Sequence, residues 1–329
     1  MAHPKQLTVL YEHPHWFTPL FNELEERHVP FRKIDASSER FDPSSFGPTD
    51  VLFNRISPSS WLRGRGGLIF QTRRWLRQLD DAGVDVINGA HTFELEVSKA
   101  EQLKLLADAG VRAPRASVVR DVTALPEASR ELDFPLIIKP NVGGSGAGIR
   151  LFRTADELRS AVEGGEIDPP LDGILLLQEY HAPENRSIVR IETLDTHYLY
   201  GIRIHLGDNA GFDLCPADVC KTTSGEELTS AACPVGAAKQ GLSVEAYTPP
   251  PEVIAAVERI ARAARLDVGG IEYLKSSRDG RIYYYDVNAL SNFVADPQRV
   301  IGFDPTSRLV DSIEARLGIR AEAVKGRAS

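Results

Sequence analysis

The most constraining feature of the sequence is an apolar segment that ends in a lysine and runs directly into a glycine-rich loop. Residues 136–139 read Leu-Ile-Ile-Lys, and residues 143–148 hold four glycines in six positions. Glycines let backbone N–H groups wrap around anionic oxygens, and Lys139 adds a positive point charge beside them. The segment predicts a strand–loop–strand unit that binds phosphate, with a plain glycine-rich hairpin as the alternative.

Two common nucleotide-binding loops do not fit this segment. The chain contains no G-x-x-x-x-G-K-[ST] pattern, which excludes a Walker A loop. A dinucleotide-binding loop would lead from a strand into a helix, whereas residues 148–152 after this loop have the composition of a strand. A different class of ATP site is therefore expected.

A second motif near the C-terminus combines acidic and amide side chains on two strands. Glu272 lies in the apolar run 270–274, and Asp286 and Asn288 lie in the run 283–288. Asp286 and Asn288 are two residues apart, so both side chains point to the same sheet face, and a hairpin brings Glu272 beside them. Carboxylate and amide oxygens suit Mg²⁺. The motif predicts a metal site, with a solvated polar strand face as the alternative.

A third segment, residues 174–180, is an apolar strand that ends in Gln178, Glu179 and Tyr180. The polar end could act as a hinge whose backbone pairs with an adenine edge, but the segment taken alone favours an ordinary core strand. Arg55 ends another strand, and ligands of open α/β sheets gather at the carboxyl ends of strands. It could bind a substrate carboxylate through two hydrogen bonds or form an interdomain salt bridge.

The order of predicted elements indicates an α/β unit followed by α+β units. Strands and helices alternate through the first ninety residues, which predicts a parallel sheet with helices on both faces. The second half has closely spaced strands without intervening helices, which favours antiparallel pairing. Residues 207–249 show little periodicity, and a segment of that length is expected to be functional or partly disordered. The predicted strands are 7–11, 29–34, 50–56, 85–88, 135–139, 148–152, 174–180, 187–194, 197–206, 270–275 and 281–288; the predicted helices are 16–28, 68–81, 97–108, 121–131, 251–265 and 306–317.

Composition excludes several classes of function. The net charge of −8 and the lack of a long basic run disfavour nucleic-acid binding. No window approaches 18 consecutive apolar residues, so no membrane span is expected, and the strand-like start predicts a cytoplasmic protein without a signal peptide. Three cysteines, Cys215, Cys220 and Cys233, are too few and too irregular for a disulfide framework or a structural zinc site.

Taken together and in this order, the three motifs resemble the ATP-grasp superfamily, and within it the RimK-like carboxylate–amine ligases. The resemblance implies an N-terminal α/β domain at residues 1–95, a central lobe with the glycine-rich loop at 96–180, and a C-terminal lobe with the metal site at 181–329. ATP would lie between the two lobes. It also implies Mg²⁺ as cofactor, small carboxylate and amine substrates such as amino acids or short peptides, and a homodimer.

The resemblance assigns roles to residues at matching positions. Lys99 and Lys139 resemble the two ATP-contacting lysines, and Arg203 resembles an arginine near the γ-phosphate. The loop over the phosphates corresponds to Gly143, Gly144, Ser145, Gly146 and Gly148. The adenine hinge corresponds to Gln178, Glu179 and Tyr180, with Glu184 on the ribose, and the Mg²⁺ ligands correspond to Glu272, Asp286 and Asn288. The substrate region would include Arg55, Ser291 and Asn292.

Two departures from the family pattern bear on the site. Position 286 is Asp where the family often has Glu, which shortens the reach of a metal ligand by one methylene. The metal strand continues as Ala-Leu-Ser-Asn-Phe and not as the commoner Ser-Pro-Gly run, which weakens any analogy for the substrate.

The activity implied by the resemblance is ATP-dependent amide-bond formation through an acyl phosphate, with release of ADP and phosphate. Two alternatives share the fold: a phosphotransferase that acts on a hydroxyl, and a non-catalytic nucleotide-binding module. The module would be expected to have lost a lysine or a metal ligand, and this chain keeps Lys99, Lys139 and the three metal positions.

Overall fold

The computed structural model describes residues 5–38, 40–144, 146–207 and 242–319. Within these ranges the strands form three separate sheets, one of them parallel and two antiparallel. Ser145 and the three cysteines lie outside the described residues. None of the helices in the described ranges is both long enough and apolar enough to cross a bilayer.

The first unit is a parallel four-stranded sheet with helices on both faces, as the alternating sequence pattern predicts. Its strand order is β2-β1-β3-β4. Alternation along β1 sends Leu7 and Val9 to one face, where they pack with Leu24 of α1, and Leu10 to the other, where it packs with Leu76 of α2. The elements are β1 (Gln6–Tyr11), α1 (Thr18–Glu26), β2 (Phe31–Asp35), β3 (Asp50–Arg55), α2 (Gly66–Asp81) and β4 (Asp85–Ile87).

The second unit is an antiparallel sheet of order β5-β8-β6-β7. Two helices cover one face, where Ile138 and Leu177 are buried with Leu158 of α6. The opposite face carries Ile137 and Lys139 toward a cavity. The elements are α3 (Ala90–Glu96), α4 (Lys99–Asp108), β5 (Ala116–Val119), α5 (Leu125–Ala128), β6 (Leu136–Pro140), β7 (Arg150–Phe152), α6 (Ala155–Glu163) and β8 (Leu175–Glu179).

The third unit is an antiparallel sheet of order β11-β10-β9-β12-β13. Helix α7 covers one face together with α4, since Val257 and Ile260 share a core with Leu105. The other face packs on the N-terminal unit. The elements are β9 (Pro183–Leu194), β10 (His197–Leu206), β11 (Leu242–Ala246), α7 (Pro251–Ala264), β12 (Val268–Ser276), β13 (Ile282–Asn288), α8 (Pro297–Val300) and α9 (Pro305–Leu317).

Two local differences from the sequence prediction have simple causes, and one predicted hairpin is present. Strand β11 lies inside the stretch 207–249, which shows little periodicity; its five residues do alternate in burial, but the pattern is too short to stand out in the sequence. The predicted helix 121–131 is a short α5 between two 3-10 turns, Val122–Ala124 and Ser129–Glu131. The predicted hairpin around residues 277–280 is the antiparallel pair β12–β13, so that prediction is confirmed.

Candidate active site

A cavity of about 380 Å³ lies where the three units meet. The N-terminal unit contributes Trp16 and Ser59, the central sheet contributes Ile137 and its glycine loop, and the C-terminal sheet contributes Leu274. A concave site at the junction of several units is a common place for small ligands. The cavity wall carries the charged side chains Glu96, Lys99, Lys139, Glu179, Arg190, Glu272 and Asp286.

Lys139 projects into the cavity from the central sheet. Strand β6 is buried among apolar residues up to Ile138, and the side chain of Lys139 follows on the cavity face with 5% exposure. Among the described residues no carboxylate forms an ion pair with Lys139. Burial and the neighbouring Lys99 lower the pKa of Lys139 to about 8, while Asp286 and Glu272 act in the opposite direction. The ammonium group of Lys139 therefore lacks a carboxylate partner within the described residues.

The glycine loop joins β6 to β7, which pair antiparallel, so the predicted strand–loop–strand unit is present. Gly143, Gly144 and Gly146 line the cavity. Gly146 and Gly148 have φ of 69° and 74°, which favours glycine. A Cβ at Gly148 would also lie 2.7 Å from Cγ of Pro140. The backbone of the loop is thus held against the end of the lysine strand.

The loop also contacts the N-terminal unit. A Cβ at Gly144 would lie 3.1 Å from Cβ of Ser59, so the loop and the 3-10 helix Pro58–Arg63 pack closely. Ser59 of the N-terminal unit thus forms part of the cavity wall next to the glycine loop.

The acidic face predicted on β12 and β13 is present. Glu272 pairs directly with Asp286 across the two strands, and Asn288 follows two positions later on the same face of β13. Nζ of Lys99, at the start of α4, lies 2.6 Å from Oδ1 of Asp286. Burial alone would lower the pKa of Lys99, but Asp286 outweighs it and raises the net value. Burial opposes ionisation of Asp286, yet Lys99 and Lys139 hold its pKa below the ordinary value.

Arg190 on β9 is a site residue that the sequence analysis missed. Its Nη1 lies 2.9 Å from Oε1 of Glu272, and its Nε lies 2.6 Å from Oε1 of Glu192. A Cβ at Gly270 would lie 2.5 Å from two guanidinium nitrogens of Arg190, so glycine makes room for the arginine. Alternation could have indicated it, because Ile188, Arg190 and Glu192 share one face of a single strand.

The structure does not bring Arg203 to the cavity, contrary to the role that the resemblance implies. Its register partner on β9 is Val189, whose side chain lies in the core on the far face of the sheet. There the guanidinium group lies 4.1 Å from the ring centroid of Tyr247 and pairs with Glu245. Because neighbouring residues on a strand face opposite sides, Arg190 and not Arg203 is the arginine on the cavity face.

The hinge segment lines the cavity at its other end, through Gln178, Glu179 and Tyr180. The carboxylate of Glu179 accepts hydrogen bonds from the backbone N–H of Asp133 and from Arg115, so it has a structural partner. The backbone and the apolar walls Ile137 and Leu274 remain to meet a ligand.

Glu184, expected at the ribose, does not line the cavity. It lies on the edge of β9 with 40% of its side chain exposed, and its Oε2 is 2.8 Å from Nζ of Lys275. Pro183, Ile188 and Arg190 of the same strand line the cavity, whereas Glu184 does not.

Arg55 is buried between the N-terminal and C-terminal units, with 3% exposure. Its Nη2 donates to the carbonyl of Ser291 at 2.5 Å and to Oδ1 of Asn292 at 3.1 Å, while its Nε and Nη1 have no acceptor among the described residues. Burial lowers the pKa of Arg55 to about 9. The three predicted substrate residues are therefore brought together, and Asn292 lines the cavity.

Glu96, at the end of α3, is a second site residue that the sequence analysis missed. It lines the cavity with 6% exposure, and its Oε2 accepts a hydrogen bond from the backbone N–H of Ala289. Burial raises the pKa of Glu96 to about 7, although the Ala289 hydrogen bond acts in the opposite direction. Its position in a short helix just before Lys99 gave no sequence signal.

The residues on β12 and β13 fit a divalent cation in their donor chemistry. Glu272 and Asp286 present carboxylate oxygens side by side, and the Nδ2 atom of Asn288 has no acceptor among the described residues. The amide is not held in one orientation by the protein and can present its oxygen. Hard oxygen donors of this kind suit Mg²⁺. No cluster of three or more acidic, histidine or cysteine side chains suited to a metal occurs within the described ranges. A cation held by these two carboxylates would therefore need the amide oxygen of Asn288 and oxygens of a bound ligand to complete its coordination.

The comparisons with known proteins agree with this architecture. Residues 97–208 match the family model of the RimK-like ATP-grasp domain. A D-alanine–D-alanine ligase of Pseudomonas fluorescens is 26% identical over 183 residues, which cover 52% of this chain and 55% of the relative. The 2-oxoglutarate carboxylase small subunit of Hydrogenobacter thermophilus is 29% identical over 149 residues, which cover 43% of this chain and 30% of the relative. The chain thus spans only part of the length of these curated relatives.

Solved structures show the same fold over nearly the whole chain. The D-cycloserine synthetase DcsG superposes with a TM-score of 0.65 at 14% identity, covering 95% of this chain and 99% of the other. The ATP-grasp ligase PsnB, complexed with a precursor variant, Mg and ADP, superposes with a TM-score of 0.63 at 19% identity, covering 94% and 98%. The expected fold is confirmed: the chain has the ATP-grasp fold, and its residues 97–208 match the RimK-like ATP-grasp domain.

Proposed function

We propose that the protein is an ATP-dependent carboxylate–amine ligase that forms an amide bond through an acyl phosphate and releases ADP and phosphate. The observation that carries the proposal is the buried, unpaired Lys139 beside a glycine loop, in the same cavity as the carboxylates of Glu272 and Asp286. A cation without a partner and acids suited to Mg²⁺ are together what a triphosphate requires.

The cavity offers distinct surroundings for the two ends of ATP. Adenine would lie between the apolar side chains of Ile137 and Leu274, next to the backbone of residues 178–180. The phosphates would lie under the glycine loop, near Lys99 and Lys139. Glu272, Asp286 and Asn288 would hold Mg²⁺, which supplies charge neutralisation for the phosphate oxygens.

The reaction follows from the charges that surround this end of the cavity. A carboxylate oxygen of the substrate attacks the γ-phosphorus, the bond to the β-phosphate oxygen breaks, and ADP leaves. The amine nitrogen then attacks the acyl carbon, and phosphate leaves with the former carboxylate oxygen. Lys139 stabilises the negative charge on the transferring phosphoryl group, and Arg190 lines the same cavity from the C-terminal sheet.

Positioning of the carboxylate is assigned to the N-terminal unit. Arg55 holds the segment Ser291–Asn292, and Asn292 in turn lines the cavity. A small amino acid or a short peptide is the proposed substrate class, supported by the likeness to a D-alanine–D-alanine ligase. A cytoplasmic location, where ATP is available, belongs to the same proposal.

The test is a phosphate-release screen with ATP, Mg²⁺, pooled amino acids and pooled small carboxylic acids. We expect phosphate release that needs both a carboxylate and an amine, and subdivision of the pools then identifies the pair. Asp286→Asn should abolish it, because the carboxylate next to Lys99 is lost, whereas Asp108→Asn, on the exposed surface of α4, should not.

Two outcomes would count against the ligase. Phosphorylation of a hydroxyl compound to a product that resists hydroxylamine would favour a phosphotransferase. Tight ATP binding without turnover in any pool would favour a non-catalytic module.

A further inference from the structure

Apart from Glu179, which pairs with Arg115 at the hinge, eight buried or mostly buried charged side chains line the cavity or contact a residue of its wall. Some of these charges satisfy each other, since Lys99 pairs with Asp286 and Arg190 pairs with both Glu192 and Glu272. The cations are Lys99, Lys139, Arg55 and Arg190, and the carboxylates are Glu96, Glu192, Glu272 and Asp286.

Three members of the set have no ion-pair partner among the described residues: Lys139, Arg55 and Glu96. A buried charge without a partner is costly, because the protein interior replaces water poorly as a solvent for ions. Unpaired buried charges at a cavity therefore point to ligand groups of opposite charge.

The reactants of the proposed ligase carry charges that match these three groups. The triphosphate and the carboxylate are anions; Lys139 is the cavity-lining cation without an ion pair, and Arg55 lies behind the cavity wall at Asn292. The amine is an ammonium ion at neutral pH, and Glu96 is the carboxyl group without an ion pair, whose raised pKa falls and whose charged form is favoured when an ammonium group lies beside it. Glu192 is fully buried, is paired with Arg190 and does not line the cavity, so it is not an alternative.

The geometry of Glu96 suits this role. The hydrogen bond from the N–H of Ala289 fixes Oε2, while Oε1 accepts no hydrogen bond from a described residue and belongs to a side chain that lines the cavity. Ala289 precedes the segment Ser291–Asn292 that Arg55 holds. Glu96 and Arg55 therefore contact the same stretch of chain, residues 289–292. Two substrate groups that react with each other must also lie close together.

We propose that Glu96 binds the ammonium group of the amine substrate and holds its nitrogen beside the carbon of the activated carboxylate. The inference rests on the ligase function proposed above. The bound ammonium group first loses one proton to solvent; the amine nitrogen then attacks the acyl carbon, the bond from that carbon to the phosphate oxygen breaks, and the second amine proton leaves with the phosphate, giving the amide and hydrogen phosphate. Glu96 acts by charge and position.

The test compares two amines in the presence of ATP, Mg²⁺ and the pooled carboxylic acids. The first amine source is the pooled amino acids, whose amines are cationic at neutral pH. The second is hydroxylamine, which is uncharged there, attacks acyl phosphates without enzymatic help and yields a hydroxamate that iron(III) makes visible. Glu96→Gln removes the charge but keeps an acceptor for Ala289. Glu94→Gln is the matched control on the same helix, where Glu94 pairs only with surface arginines.

We expect Glu96→Gln to lose at least about 30-fold in amino-acid-dependent phosphate release, the scale of one charge-assisted contact of about 2 kcal/mol. Hydroxamate formation should stay within about threefold of wild type, since a neutral amine needs no counter-charge. Glu96→Asp, which keeps the charge with a shorter side chain, should recover part of the amino-acid-dependent rate. Glu94→Gln should match wild type in both assays.

Equal losses of phosphate release and hydroxamate in Glu96→Gln, with an unchanged melting temperature, would overturn the assignment by showing a role in carboxylate activation. Full activity in both assays would overturn it as well. Failure of the ligase proposal looks different, because wild-type protein would then form neither hydroxamate nor phosphate. If Glu96→Gln does not fold, the KM for amino acids is measured with Glu96→Asp instead. A KM equal to that of wild type would contradict the proposal, because the shorter side chain should weaken binding of the ammonium group.

Discussion

At the scale of single residues, the site depends on which buried charges are paired. Arg190 neutralises two carboxylates that would otherwise be isolated from water, and it reaches them with two different nitrogens, Nε and Nη1. Lysine has one ammonium group and cannot reproduce this geometry. The identity of this side chain should therefore matter more than its charge.

We predict that Arg190→Lys lowers the rate of phosphate release at least about tenfold, because Glu192 or Glu272 loses its partner. Arg203→Lys should stay within about twofold of wild type, since Arg203 lies on the far face of the sheet and a surface ion pair contributes little. Steady-state kinetics of the two variants provides the check. A larger loss in Arg203→Lys would restore the role that the resemblance gave to Arg203.

A second residue-scale prediction concerns pH. Burial raises the pKa of Glu96 from 4.5 to about 7, so between these values the folded state holds a proton that the unfolded state has released. The stability contributed by this group is therefore lost as pH rises through that window. Relative to wild type, Glu96→Gln should gain up to about 3 kcal/mol in unfolding free energy between the two ends of the window. Urea titrations at several pH values across the window measure this gain. An equal pH dependence of the unfolding free energy in the two proteins would contradict the burial of Glu96.

Some of the residue-level site was predictable, and some was not. The acidic face of Glu272, Asp286 and Asn288 follows from two-residue alternation and a turn sequence, which are local properties. The choice between Arg190 and Arg203 depends on which face of the sheet meets the cavity. Packing against the N-terminal unit decides which face that is. In addition, the register irregularity between Tyr198 and Tyr200 means that counting residues along β10 does not give the partner of each residue on β9.

At the scale of elements, the glycine loop depends on its junction with the lysine strand. Gly148 combines a φ of 74° with a close approach to Pro140, so alanine there must distort the loop or move the strand end. We expect Gly148→Ala to lower the unfolding free energy by about 1–3 kcal/mol and to reduce ATP-dependent turnover. Gly47→Ala is the control, since a Cβ there meets nothing within 4 Å, and it should change stability by less than about 0.5 kcal/mol. Equal unfolding curves for the two variants would show that the loop is not held as described.

Asn88 connects the elements on either side of the site. From the end of β4 its Nδ2 donates to the carbonyls of Val268 and Ala289, each at 2.7 Å, and its Oδ1 accepts from the N–H of Asp267 at 3.0 Å. Asn88→Ala would leave these buried groups without partners. We predict a loss of about 2–4 kcal/mol in unfolding free energy, measured by denaturant titration. Asn22→Ala, on the exposed face of α1, should change stability by less than about 0.5 kcal/mol; a similar small effect at position 88 would contradict this account.

The element order was readable from the sequence where hydrophobic periodicity is strong. The alternating strands and helices of the N-terminal unit and the β12–β13 hairpin follow from it. The short helix α3 was missed because seven residues give too little periodicity. Its consequence, the placement of Glu96 beside Ala289, arises only when the N-terminal and C-terminal units pack together.

At the scale of the whole molecule, the cavity exists because three units meet around one set of charges. The N-terminal sheet and the C-terminal sheet share a single apolar core, in which Leu7 and Val9 pack with Ile202 and Ile204. Helix α1 is also tied to α9, where Arg27 lies 2.8 Å from Asp311. The N-terminal unit is therefore fixed to the C-terminal lobe, which keeps Arg55 beside Ser291 and Asn292.

The central claim is that the cavity activates a carboxylate by phosphorylation. It is tested most directly by following the carboxylate oxygens. The reaction is run with ATP, an amine and an oxygen-18-labelled carboxylate from the pair that the screen identifies, and the released phosphate is examined by mass spectrometry. The account predicts ADP and a phosphate that carries one heavy oxygen, because the attacking carboxylate oxygen leaves with the phosphoryl group. Unlabelled phosphate, or AMP in place of ADP, would contradict it.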